Sequence, residues 1–468
     1  MLIDKPASFI QTFVENLNDG LKELEPTAKL TRLQCTWLGF CLMGILLINS
    51  VCWAKFERAS LGGYKIGALS WMLRRSKIAW SLLLLASVKL VLKQHHITNG
   101  VLVLDESNRA RCKRTNRIHK AYKLKDKTTG GYINGQTIVL LLLVTDSVTF
   151  PVGFSFYRPD PVLSAWEKEN KRLLKKGIPK KERPAKPPRN PDYPTKQQLG
   201  IGLLEEFKKN HTEISIKAVL ADALYGESKF MDKVSGIFEN TQVISQLHKN
   251  QNISYKGTKK NLEQYFNSIN KGRAIDICVR GGKEITAIVS SARLKVNAHG
   301  KKRVVIALKY RGEEDYRYLV ATEISWRTKD IIQAYSLRWL VDVFFEDWKL
   351  YEGWGKEAKQ YDEEGSSRGM LLSLLLDHCL ILHPKQMVCI ENKLPAFTVG
   401  SLQRRLQMEA LLEFIRSLLQ HENPGDKLNE LGTIIKDTFQ LIPSKKHMNG
   451  RNIGHLDSTP SLKNRFAR

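Results

Sequence analysis

The 468-residue chain carries 74 Lys+Arg against 47 Asp+Glu, a formal net charge of +27 that points to a polyanionic partner, nucleic acid or an acidic membrane surface. The charge is clustered, with nine basic residues and one acid between Arg109 and Lys127 and ten basic residues and two acids between Lys168 and Arg189, which argues against charge kept merely for solubility. Length and apolar content predict several packed domains, while seven cysteines without a C-x-x-C pair or a secretory signal exclude a disulfide framework and point to a reducing interior.

Along the chain, Phe9, Ile10, Phe13, Val14, Leu17, Leu21 and Leu24 recur at three- and four-residue steps and predict a helix closed by Pro26. Leu33 to Trp53 approaches the length of a membrane span. Gln34, Thr36, Asn49 and Ser50 interrupt it, however, and Arg32 and Lys55 flank it, so it reads as a core helix, as does Ile78 to Leu92 with its Lys89. Residues 1–95 are thus expected to be all-α, with no membrane span.

The period then changes. VLVLD, Val101 to Asp105, reads as a strand ending in a carboxylate, and TIVLLLLVTD and FPVGFSFY read as two more, joined by a turn at Asp146 and Ser147. Residues 158–195 are rich in Pro and Lys and lack periodicity, which predicts a mobile basic loop or arm. A helix from Lys196 to Asn210 precedes IKAVLAD, a strand ending in Asp222, and Gln242 to Asn250 is a further strand candidate. These elements make up a core spanning 96–250. Alternation of polar and apolar residues over 251–325 predicts a β-rich insertion, and a helix-bearing segment over 326–395 completes the core. A C-terminal helical region with a basic tail, Lys445 to Arg468, occupies 396–468.

The segment YSLRWLVDVFFEDWK places charges in an otherwise apolar stretch. At roughly 100° per residue, Tyr335, Arg338, Asp342, Glu346 and Lys349 share one stripe of a helix that is apolar over most of its circumference. That stripe faces a cleft, a partner or an ion, unless Arg338 and Asp342 merely form an intrahelical pair.

Carboxylates at the ends of neighbouring parallel strands converge outside the sheet edge. Asp105 and Asp222 can therefore meet there, and the charged stripe can complete a three-carboxylate cage. Hard oxygen ligands suit Mg²⁺ or Mn²⁺, and two such ions could drive in-line attack on a phosphodiester. The bland alternatives are a turn at Asp105 with Ser107 and Asn108, and an N-cap at Asp222 for the helix beginning near Leu224.

Tyr335, Arg338, Asp342 and Lys349, in the pattern Y-x2-R-x3-D-x6-K, resemble the Tyr-Arg-Glu-Lys signature of the insertion-sequence-four transposases. LVLDESN and ADALYG, with Asp105, Asp222 and Tyr225, resemble that family's first and second acid blocks. The resemblance covers about Val101 to Lys349 and is weaker on either side. It implies an α/β ribonuclease-H-like mixed sheet flanked by helices, carrying a DDE triad of Asp105, Asp222 and Asp342 around Mg²⁺ or Mn²⁺. Aspartate stands where the family has glutamate, so Glu346, one turn on, is the alternative third acid.

The resemblance further implies phosphate contacts from Arg338 and Lys349 and DNA contacts from Tyr335 and Tyr225. An insertion aromatic would stack on an extruded base, for which Tyr316, Tyr318 and Trp326 are candidates. The implied activity is cut-and-paste transposition: binding of terminal inverted repeats by the N-terminal helices and basic segments, metal-dependent cleavage, and joining of 3′ ends to target DNA, by a homodimer on the cytoplasmic nucleoid. A structure-selective nuclease, or a non-catalytic DNA-binding protein such as an inactive element copy, is the alternative.

Overall fold

The computed structural model describes residues 6–111, 118–125, 130–255, 257–269, 272–279, 283–356, 360, 362–439 and 441. The basic tail from Lys445 and part of the Arg109–Lys127 cluster lie outside the described residues. Five helices open the chain: α1 (Ser8–Leu24), α2 (Arg32–Ile48), α3 (Trp53–Ala59), α4 (Ile66–Arg75) and α5 (Trp80–Gln94). Helix α2 starts at a reciprocal capping box between Thr31 and Gln34 and stops at Asn49, which turns left-handed at φ 48°. Among the described residues no single helix is long and apolar enough to cross a membrane; α2 and α3 pass that test only as a pair bent by 88°.

The strands β1 (Asn99–Ala110), β2 (Tyr122–Lys125), β3 (Tyr132–Val144) and β4 (Thr149–Tyr157) follow, then helices α6 (Pro161–Lys175) and α7 (Lys196–Asn210). Next come β5 (Ser215–Ala221), α8 (Ser228–Ile237), β6 (Gln242–Leu247), β7 (Asn252–Tyr255), β8 (Thr258–Asn261) and α9 (Leu262–Ser268). The strands end with β9 (Arg273–Val279), β10 (Lys283–Val296), β11 (Lys301–Tyr310) and β12 (Arg317–Ala321). The remaining helices are α10 (Thr328–Ser336), α11 (Leu340–Tyr351), α12 (Glu363–Ile381), α13 (Pro384–Glu391), α14 (Val399–Leu419) and α15 (Pro424–Thr438).

All these strands belong to one mixed sheet in the order β2-β3-β1-β5-β6-β12-β11-β10-β7-β8, with β4 beside β3 and β9 beside β10. Strands β1, β5 and β6 run parallel, whereas β3 runs antiparallel to β1 and β4. The β-rich segment therefore continues the core sheet, because β12 pairs antiparallel with β6 from Tyr318↔Leu247 to Ala321↔Ile244.

Alternation along β1 assigns its residues to two layers. Leu102 and Leu104 pack with Leu203, Leu204 and Phe207 of α7 and with Phe230 of α8. Val101 and Val103 face the opposite way, toward Val341, Phe344, Phe345 and Trp348 of α11. A third core joins α1–α5 to Leu371, Leu372, Leu375 and Leu376 of α12, so the N-terminal helices share their interior with a helix from far along the chain. Residues up to Ile415 form one compact unit, and Arg416–Arg468 form a second whose described helix is α15.

Two segments depart from the sequence reading. The Pro- and Lys-rich stretch contains α6, started by Asp160, whose side chain accepts from the amides of Val162 and Leu163, with Pro161 at the first helical position. The Trp166 indole N–H donates to the Pro184 carbonyl at 2.8 Å and folds the following strand of chain back onto this helix. The Tyr335–Lys349 segment is not one continuous α-helix. It is α10, a 3₁₀ turn at Leu337–Trp339, and α11, with backbone angles in the right-handed helical region throughout the join.

Candidate active site

The parallel pairing of β1 with β5 ends at Leu104↔Ala221, so Asp105 and Asp222 come next along each chain segment; β1 does not end at its carboxylate as expected but runs on to Ala110, because β3 continues to pair with it. Adjacency in register brings them together although more than a hundred residues separate them in sequence. With Glu106 they form a group whose carboxylate oxygens lie within 4.8 Å of one another. Asp222 also serves as a local cap, accepting from the Leu224 amide at 2.9 Å, and the Ser245 hydroxyl of β6 donates to its carbonyl at 2.6 Å. The capping alternative is thus realised together with the clustering.

Asp105 faces the α11 layer and is buried. Arg338, in the 3₁₀ turn, donates to its Oδ2 at 2.8 Å, and the Glu106 amide donates to Oδ1 at 2.7 Å. Burial nevertheless dominates. It pushes the carboxyl up to about 7, helped by the neighbouring Asp222 and Glu106 charges and opposed by Arg338 and the Glu106 amide.

The same guanidinium pairs with Asp342 at 3.6 Å, an i,i+4 contact across the junction into α11. Asp342 is 63% exposed at its side chain and stands outside the 4.8 Å group, joined to it through Arg338. Glu346 is exposed, and among the described residues no ion pair joins it to Arg338, so Asp342 is the stripe carboxylate that shares the arginine.

Glu106 was not singled out from sequence, since alternation sends it to the opposite face from Asp105. There Lys196, the first residue of α7, pairs with Oε1 at 2.5 Å, and the Tyr225 hydroxyl donates to Oε2 at 3.5 Å. These contacts hold Glu106 at the sheet edge, where both faces converge on Asp222. Its adjacency to Asp105 in LVLDESN was the available signal.

Tyr225 is fully buried, so the DNA contact expected of it gives way to support of Glu106. Tyr335 is buried as well, and its hydroxyl donates to the Ala221 carbonyl at 3.4 Å, directly before Asp222. Lys349 is half-buried with its ammonium 5.4 Å from the Phe345 ring centre. Of the aromatic candidates, Tyr318 is buried and Trp326 is packed into the α11-side core, while Tyr316 lies under the Lys309 ammonium at 5.0 Å. Tyr310 instead joins Trp339, Arg338, Tyr335 and Gln246 around a cleft of about 280 Å³ beside the carboxylates.

The donor set fits a hard divalent cation: three carboxylates converge, one is buried and raised, and the cations present are protein side chains on the flanks. No protein-family model matches the chain, and no curated protein matches it.

Proposed function

We propose that this protein is a DNA transposase of the DDE type on a ribonuclease-H-like core. It binds terminal inverted repeats, cleaves phosphodiester bonds with Mg²⁺ or Mn²⁺, and joins the freed 3′ ends to target DNA. The observation that carries the reading is the juxtaposition of Asp105 and Asp222 at the end of a parallel strand pair, with Arg338 of a distant segment bound to the first. The order strand, hairpin pair, helix, strand, insertion, helix, realised as β1, β3 and β4, α7, β5, β7–β12 and α10–α11, supports the same reading.

Asp105 and Asp222 would hold the metal, with Glu106 and Asp342 as further carboxylates within the same charged ring. Bound there, divalent ions supply Lewis-acid stabilisation and activation of a water or 3′-hydroxyl for in-line attack. Arg338 keeps Asp105 and Asp342 on one planar fork and offers its remaining donors to a phosphate oxygen. Tyr335 fixes the end of β5 from below, which sets the height of Asp222. Lys349 contributes a point charge on the same side. The net charge of +27 supplies the attraction for DNA.

The test is the purified full chain with DNA carrying the element's terminal repeats and a target duplex. Mg²⁺-dependent cutting at the repeat boundary followed by joined products is the expected result. Cutting without joining assigns a nuclease, and DNA retardation without cutting assigns a binding protein; either result overturns the transposase reading.

A further inference from the structure

Asp105, Ser107 and Arg109 alternate onto one face of β1, which places Arg109 about 13 Å along the strand from the first carboxylate. Between them, the Trp354 indole N–H donates to Ser107 Oγ at 3.3 Å, and the Trp354 ring stacks on Trp348 at 4.9 Å and 11°. This locks the turn after α11 onto β1. Gly355 in that turn has φ +78°, and a Cβ there would collide with the Arg109 side chain, so the arginine lies directly across the glycine. Lys356 follows, its carbonyl held by Ser50 Oγ at 2.8 Å.

Three cations stand at or beside this turn: Arg109 across Gly355, the exposed Lys356 next along the chain and, from the last turn of α11, the half-buried Lys349. Among the described residues none of the three makes an ion pair with a carboxylate, although Arg109 and Lys349 are half-buried. Burial and the Arg109 charge hold Lys349 below the usual lysine range, with Asp342 and Asp105 opposing. Burial, Arg109 and Lys55 act on Lys356 in the same direction. Like charges held near one another repel, and an anion bound between them relieves that repulsion. Lys349 is thus within electrostatic reach of both the carboxylates and Arg109.

We infer that Arg109, Lys349 and Lys356 form a cradle for a phosphate group, filled in the working complex by a backbone phosphate of the DNA strand whose neighbouring linkage lies at the carboxylates. The inference rests on the proposed DNA chemistry for its ligand's source, while the cradle itself rests on the turn and its cations. Arg109 supplies a planar two-donor edge and the lysines supply point charges, which suits a tetrahedral oxyanion.

The test uses the full chain without divalent metal, measuring anisotropy of a labelled duplex over a salt series. Melting temperature in rising inorganic phosphate is recorded in parallel. Arg109→Gln and Lys356→Gln should each weaken duplex binding several-fold, up to about tenfold, and each should lower the salt slope by about 0.9. Arg109→Lys should recover part of the affinity. Phosphate that raises the melting temperature of the wild type, but not of Arg109→Gln, with unchanged duplex binding, identifies a free phosphate ion as the occupant. If the wild type binds no DNA yet shows that Arg109-dependent response, the cradle stands and the transposase reading falls. Unaltered salt slopes in both variants together with no phosphate response overturn the cradle, and Lys356→Gln carries the test should Arg109→Gln fail to fold.

Discussion

Two groups of carboxylates lie near α11, and they differ in what surrounds them. Asp105, Glu106 and Asp222 meet at a sheet edge where Arg338 and Lys196 approach from opposite faces. Glu352, at the end of α11, and Asp377, on α12, are buried, and among the described residues neither pairs with a cation. Both Glu352 oxygens and Asp377 Oδ2 are buried without a hydrogen-bond partner among the described residues. Burial drives both carboxyls well above the ordinary range, and Asp347 raises them further. Acidity alone therefore does not mark a metal site. Flanking cations and an open edge keep one group ready for charge, whereas burial keeps the other neutral.

The largest contrast is catalytic. Asp105→Asn or Asp222→Asn should abolish Mg²⁺-dependent cleavage while leaving duplex binding within a few-fold, and Glu352→Gln should still cut. Equal loss in all three, measured on folded protein, would erase the distinction between the groups. Within the stripe, Asp342→Asn should lose more Mg²⁺-supported cutting than Glu346→Gln, because only Asp342 shares Arg338 with Asp105.

The metal-free site should also respond to pH. Asp105 titrates at about 7 when empty of cation, so a metal must displace its proton below that point. Mn²⁺ affinity, followed by titration calorimetry, should rise about tenfold per pH unit up to that value and flatten above it. The sealed pair gives the opposite kind of signal. Its folded pKa values lie above the unfolded ones, so its contribution is present in full at acid pH and is lost as pH rises through the folded values. Melting temperature should accordingly fall as pH rises from the ordinary carboxylate range toward the folded values, and Glu352→Gln or Asp377→Asn should flatten that fall, by an amount on the order of 1–3 kcal/mol. The smallest effect concerns Lys196: replacing it by Met removes the cation that Glu106 now holds and should tighten Mn²⁺ binding a few-fold. Unchanged binding would place Glu106 outside the metal's reach.

Much of the frame was legible in the residues. The apolar steps from Phe9 to Leu24 became α1, Lys196 to Asn210 became α7 with those ends, and the strands carrying Asp105 and Asp222 formed as a parallel pair. Helix α6 was hidden because its many charged residues and the prolines that follow it read together as loop, although Asp160-Pro161 is a readable helix start. Glu106 escaped because alternation along β1 turns it away from Asp105, and the segment alone does not show that Asp222, just past β5, comes within reach of both. Tyr225 and Tyr335 read as exposed contacts because a motif gives residue types and spacing but not which hydroxyl is turned inward. The sealing of Glu352 depends on α12 packing across it, a tertiary event that periodicity within one segment does not encode.

The ladder between β12 and β6 has a mechanical consequence. The added strands are not a detachable ornament: excising 251–325 would strip β6 of one hydrogen-bonded side and leave a raw border one strand away from the strand that bears the second aspartate. A shortened chain of that kind would be prone to self-association, so the insertion is as much a retaining wall for the sheet beneath the carboxylates as a platform for whatever it touches.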